Sequence, residues 1–578
     1  MHPSIRSHAP DVTIVRVRNQ IVTNAARTVP YGDEMIELFR GGRVFTSDPD
    51  RPWAEAVVID GERIVFVGHV ADAVDRAGAD AVVHDIAGGV VLPGFVDAHA
   101  HLTMTGDALL KAQLRDAPDV AEIRRRLTVW AAANPHAPRI LGIGWIYSAI
   151  DGGHPTRQML DEIGDGRPIY AEAADLHSCW LNTAALHELG VTDDTPDPIG
   201  GRIVRDPQTG MATGHLLENA SVNLVWPLLA DVPASTLDEY LAAAMRAYSE
   251  SGVTAAVDMA MDATMLAAMQ RAESAGRLTV RVIGHWLIHR TGDSVTELAQ
   301  VDKLVRLVER MADDSSLSRL RIAGIKIIAD GTIDGCTAAL INPYADGTNA
   351  DPIWDRTSLD AVVAAADAAG LQVAIHAIGD QTVRNAIDAI ERAGVTNGDP
   401  AATHSRRHRI EHLEYVDESD VVRLAGLGIT ASMQPVHIDP AIFANWAAML
   451  GDERADRGFA WREFLDAGTT LAFGTDTPTA PHFPLHNMYI ATTRRSPGDP
   501  TLTPHRPDNA LPLDEAVIHA TRDAAWASFA EDSIGVLRAG SFADLVVLDR
   551  DPFAAEPESL LSARVVLTIS NGRTVYTG

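Results

Sequence analysis

Two histidines one residue apart, His99 and His101 in "GFVDAHAH", close an apolar run and can share one face of a strand. Further along, His376 ends "LQVAIHA", His412 ends "HRIEH" and Asp476 ends "LAFGTD". Imidazole and carboxylate are common ligands of zinc and similar divalent cations, so a fold that gathered these residues would make a metal centre. Lys326 is the odd member of the set. The chain is rich in arginine and carries lysine only at positions 111, 303 and 326. Lys111 and Lys303 fall in polar, helix-like stretches where a solvated ammonium costs nothing. Lys326 instead lies between Ile325 and Ile327 in "GIKIIADG", whose pattern predicts a short buried strand. Buried lysines are rare unless paired or chemically altered.

The elements that would position these residues repeat regularly. Short apolar runs at 94–101, 252–259, 281–287, 324–331, 371–377, 408–413, 428–435 and 471–476 alternate with Ala-rich helical stretches such as "LDAVVAAADAAG". Eight strand–helix units predict an α/β fold, a TIM (β/α)8 barrel, whose active site lies at the C-terminal ends of its strands. His-x-His alone is a weak signal among 22 histidines. The joint placement is stronger: His99, His101, Lys326, His376, His412 and Asp476 all fall at the same end of their strands. A long segment, about 103–250, separates the first strand from the second. With its own strand-like runs "RILGIGW" and "PIYAEA", it reads as an insertion over the barrel mouth.

Both ends of the chain have a different texture. Residues 35–92 and 530–578 hold short β-branched runs broken by Gly and Asp, which read as antiparallel hairpins joined into one small β-sandwich around a barrel at 93–529. Residues 1–34 are weakly patterned and read as an extension outside the folded parts. The formal charge of -30 argues against a nucleic-acid or anionic membrane partner. Two cysteines, Cys179 and Cys336, give no disulfide framework, and no apolar run reaches membrane-spanning length. A cytoplasmic location is the expectation.

"LPGFVDAHAH", "HAIGD", "RHRIEHLEYV", "FGTD" and "GVLRAGSFADLVVLDRDP" resemble the amidohydrolase superfamily. "ILGIGW", "ADLHSCWLNTAAL" and "ITASMQP" are similar to its amidohydrolase-3, or YtcJ-like, branch, which includes N-substituted formamide deformylase. The resemblance runs from about Ile36 to Gly578 and implies the same barrel and sandwich. It also implies a divalent metal, usually zinc, as one or two ions per chain. His99, His101 and Asp476 would hold the more buried ion, and His376 and His412 the second. Lys326 would bridge them as a carboxylated lysine. The implied reaction is hydrolysis of a small non-peptide amide, such as an N-substituted formamide or N-acyl amine, by a metal-activated hydroxide. Asp476 would be the general base that later protonates the leaving amine. Trp145, Asp175 and His177 in the insertion, with Gln434 and His437 after the seventh strand, are the candidate substrate contacts. A homodimer is compatible with this reading.

Three rivals remain at the sequence level. "HRIEH" fits the H-x-x-E-H pattern of an inverzincin peptidase, with His408 and His412 on zinc and Glu411 as base. A mononuclear deaminase of the same superfamily would lack the bridging lysine. A catalytically inactive scaffold would have lost ligands, and none is missing.

Overall fold

The computed structural model describes residues 36–578 apart from 151–152, 175, 177, 199–200 and 313–317. The extension at 1–34 therefore lies outside the described residues. Eight parallel strands make one sheet: β1 (Phe95–Ala100), β2 (Val253–Met261), β3 (Arg281–Leu287), β4 (Leu320–Ile328), β5 (Gln372–Ala377), β6 (Arg409–His412), β7 (Thr430–Met433) and β8 (Leu471–Phe473). Each overlaps the run read from the sequence. The sheet curls until β8 approaches β1, where the Asp476 amide donates to the His99 carbonyl at 2.7 Å. A Cβ on Gly474 would stand 2.4 Å from the His99 amide nitrogen, so this approach requires glycine. The result is the expected TIM barrel.

Aspartates start several connecting helices. Asp262, Asp355 and Asp417 accept backbone N–H groups in the first turns of helices Ala263–Ser274, Arg356–Ala368 and Glu418–Gly426. Helix Arg356–Ala368 buries Leu359, Val362, Val363 and Ala366, a stripe at i, i+3, i+4 and i+7. These residues join the same apolar cluster as Ile325 and Ile327 of β4. Because those isoleucines face the helices, the pleat turns Lys326 into the barrel.

Strands from 36–93 and from 545–577 pack together. One sheet holds Arg63–Gly68, Ala56–Asp60, Ile36–Arg40 and Val82–Asp85. The other runs Arg573–Thr577, Val565–Ser570, Leu545–Leu548, Val90–Pro93, Arg43–Phe45 and Trp53–Ala54. Val546 pairs with Leu92, which joins the C-terminal strands to the N-terminal ones. Phe39, Val57 and Ile59 of the first sheet share a core with Val91, Leu545 and Ile569 of the second. The hairpin reading holds for Arg43–Phe45 with Trp53–Ala54, for Ala56–Asp60 with Arg63–Gly68 and for Val565–Ser570 with Arg573–Thr577, but Ile36–Arg40 and Arg43–Phe45 do not pair with each other. Ile36–Arg40 and Arg43–Phe45 enter different sheets, each pairing in parallel with a later strand. Gly41, at φ 89°, turns the chain between them.

The insertion builds its own six-stranded sheet from strands between Ala112 and Glu218. Helices Leu102–Leu110 and Ala234–Glu250 flank it in the chain and cross so closely that a Cβ on Gly106 would lie 1.7 Å from the Tyr240 carbonyl oxygen. Lys111 corrects the sequence reading. It is 7% exposed, and its Nζ lies 2.6 Å from Asp107 and 2.5 Å from Glu172 of the insertion sheet. Burial alone would lower its pKa, but the two carboxylates outweigh that and hold it above the usual lysine value. Lys303 is exposed, as its polar surroundings predict.

Candidate metal centre

The first strand delivers two imidazoles to one carboxylate. Asp476 Oδ1 lies 3.0 Å from His101 Nε2 and 3.3 Å from His99 Nε2. His99 is 1% exposed, and its Nδ1 is 2.7 Å from Glu411 Oε2. That contact occupies one ring nitrogen and aims the other at the cluster. His99, His412 and Asp476 each offer a ligand atom, all within 4.8 Å of one another. The His376 and His412 ring centroids are 4.4 Å apart, and those of His99 and His412 are 4.9 Å apart. Burial, reinforced by Lys326, pushes the His376 pKa down to about 3, so its imidazole is neutral at pH 7, the form that binds metals.

Lys326 is 2% exposed, and its Nζ has no hydrogen-bond partner among the described residues. Burial pulls its pKa down to about 8 against the opposing pull of Glu411 and Asp476. Asp330 does not pair with it. That carboxylate accepts the amides of Ile378, Gly379 and Ala339 at 3.0, 2.9 and 3.2 Å, stapling the loop after β4 to the loop after β5.

Strand alternation alone does not explain His412. Arg409 and Glu411 face the barrel interior while Ile410 packs into the outer core, so regular alternation would send His412 outward. Instead His412 has φ 78° and Asp476 φ 54°, left-handed values costly for residues with a Cβ. These two bends turn the ends of β6 and β8 into the cluster. Beneath it, Arg409 and Glu411 form an ion pair at 2.5 Å, with both side chains sealed from solvent. Arg409 also donates to the Ala98 carbonyl and to Ser432 Oγ, each at 2.7 Å. In the sequence Glu411 stands out only as a potential peptidase base in "HRIEH". Its period-two spacing from Arg409 was the available sign of an inward pair.

Residues 82–576 match the profile described as "Amidohydrolase family". The chain belongs to the amidohydrolase family. YtcJ of Bacillus subtilis is 28% identical over 94% of this chain and 99% of its own length. N-substituted formamide deformylase of Arthrobacter pascens is 29% identical, over 92% and 97% of the two chains. A metal-dependent hydrolase from Pyrococcus horikoshii superposes with a TM-score of 0.71 at 26% identity, covering 90% of this chain and 99% of that one.

This amidohydrolase has a donor set that suits a divalent cation. His99 Nε2, His101 Nδ1 and Lys326 Nζ are buried without hydrogen-bond partners among the described residues, and imidazole with carboxylate fits zinc or a similar ion. The peptidase alternative fails on geometry. Arg409–His412 is a strand, and His408 turns away from the centre, its Nε2 3.0 Å from Asp367 Oδ1 and its Nδ1 accepting the Val373 amide.

The candidate substrate contacts separate. Gln434 Oε1 is 2.9 Å from His412 Nδ1, so this side chain orients that imidazole. His437 stands beside the cluster, with Nδ1 3.1 Å from Glu414 Oε1 and Nε2 3.6 Å from Asp476 Oδ2. His412, Glu414 and His437 form a second group whose potential ligand atoms lie within 4.8 Å of one another. Trp145 departs from the expected position at the mouth. It is fully buried in the insertion core and donates its indole N–H to the Ala171 carbonyl at 2.8 Å. Asp175 and His177 lie outside the described residues. No helix among the described residues is long and apolar enough to cross a membrane.

Proposed function

We propose that this amidohydrolase cleaves the C–N bond of a small non-peptide amide, an N-substituted formamide or N-acyl amine. The observation that carries the reading is Asp476 Oδ1 within 3.3 Å of both His99 Nε2 and His101 Nε2, with His412 alongside. His99, His101 and Asp476 would hold one divalent ion, zinc in the first instance, and His376 and His412 a second. Such an ion supplies Lewis acidity, lowering the pKa of water and polarising a carbonyl oxygen. Asp476 then has two proton-transfer tasks. It accepts a proton from the attacking water and returns it to the departing nitrogen, because an amine leaves poorly unless protonated. His437 and Gln434 line or orient the side of the centre on which the substrate would sit.

Lys326 would bridge the ions as a carbamate. Its lowered pKa leaves part of the amine neutral near pH 7. The neutral Nζ adds to carbon dioxide, one N–C bond forms, and one N–H proton passes to solvent. The product would be an anion whose carboxylate could help hold the divalent cation or cations. Arginine stays protonated and cannot take this role. The formamide deformylase relative supports the choice of substrate class. The test is a panel of N-formyl amines, N-acetyl amines and ring-aminated heterocycles with zinc- or manganese-loaded protein, read as amine or ammonia released. Release of amine from at least one panel member is expected. Ammonia released from an aminated ring, with every amide intact, would instead indicate a deaminase.

A further inference from the structure

Arg115 follows Ala112–Gln113, the edge strand of the insertion sheet. The Leu114 amide donates to the Ile143 carbonyl at 2.9 Å. Gly144, at φ 93°, lies so near that a Cβ there would stand 3.3 Å from both the Arg115 nitrogen and its Cβ. The backbone of Arg115 is thereby fixed against the insertion. Its side chain crosses to the loop after β8, where Nη2 donates to the Thr479 carbonyl at 2.9 Å. The Thr479 hydroxyl is in turn 3.1 Å from Asp476 Oδ2 and 3.3 Å from His437 Nε2. One residue thus separates the Arg115 guanidinium from the proposed proton acceptor.

A guanidinium has five N–H donors, and the Thr479 contact uses one. No carboxylate among the described residues pairs with Arg115. Asp439 acts on it only at a distance, and its own Oδ1 accepts the Ala441 amide at 3.0 Å. The residue is exposed, yet the loops around it withdraw enough water to draw its pKa below the usual arginine value, with Asp439 opposing. The guanidinium thus stands between the edge of the insertion sheet and the loop after β8.

We propose that Arg115 is a specificity residue that anchors a carboxylate carried by the amide substrate, so that the preferred substrates are anionic N-acyl amines such as N-formyl amino acids. The inference rests on the amide-hydrolase reading above. A planar guanidinium fork matches a carboxylate in two parallel hydrogen bonds, and among the described residues no carboxylate competes for its remaining donors. The insertion, which contributes Arg115, would set the substrate class, while the barrel performs the chemistry.

The test compares N-formylphenylalanine with N-formylphenethylamine, which differs by loss of the carboxylate, in metal-loaded wild type, Arg115→Met and Arg115→Lys. In wild type the carboxylate compound should have the higher kcat/KM by about tenfold or more, the value of one charge-assisted contact. Arg115→Met should erase that preference through KM, leave kcat and the neutral compound within about twofold, and lose no metal; Arg115→Lys should restore part of it. Equal kcat/KM for the two compounds in wild type, or an equal loss for both in Arg115→Met, would overturn the proposal while leaving the amide reading intact. If wild type cleaves neither compound, the amide reading is the one that fails. Calorimetric binding of N-formylphenylalanine to wild type and Arg115→Met then decides the matter, and equal affinity rejects the anchor.

Discussion

The Glu411 carboxylate lies 2.7 Å from His99 Nδ1, and both side chains are sealed from solvent. Burial alone would raise the Glu411 pKa, but Arg409 and then His99 outweigh it and hold the carboxyl well below its usual range. A carboxylate in this position fixes the His99 tautomer and leaves Nε2 for a metal. Glu411→Gln should therefore weaken zinc binding by about 10- to 100-fold in chelator competition. It should also lower the melting temperature, since Arg409 is left as a buried charge without its partner. Unchanged zinc affinity would show that His99 needs no such support.

Lys326→Ala and Lys326→Arg should both bind fewer ions per chain and lose nearly all hydrolysis. Neither side chain can form a carbamate, and arginine adds a fixed charge in a buried position. Wild-type protein loaded with metal in 13C-bicarbonate should show a carbamate resonance that both variants lack. Its absence from active wild-type protein would remove Lys326 from the bridging role.

Lys111 links helix Leu102–Leu110 to the insertion sheet through Asp107 and Glu172. Lys111→Met should cost about 3–5 kcal/mol, because breaking a buried pair leaves uncompensated carboxylates behind. Denaturant unfolding measures this, and metal content should stay unchanged. A loss under about 1 kcal/mol would place the triad among exposed, weakly contributing pairs.

The barrel was legible because short strand-like runs alternate with Ala-rich helical stretches, among them the amphipathic stripe of Arg356–Ala368. "GIKII" states its own orientation once Ile325 and Ile327 are given to the helices. Residues governed by distant contacts were not legible. Nothing local in "LKAQLRD" shows that Glu172, 61 positions later, covers Lys111. The burial of Trp145 was not legible for a similar reason, since the fold of the insertion sheet decides which face of "ILGIGW" is core. The bend at Ile36–Phe45 depends on Asp85, which occupies the space beside Gly41. His412 reached the centre only through a left-handed φ that no alternation rule supplies.

Metal-dependent amide hydrolysis is proposed to take place at His99, His101, His376, His412 and Asp476. Its most direct test is the amine released from a cleaved N-formyl amine by chelator-stripped protein as zinc is added back. The stripped protein should release none, and activity should rise with zinc to a plateau at one or two ions per chain. Full activity in the stripped protein, before any zinc is added, would show that hydrolysis needs no metal.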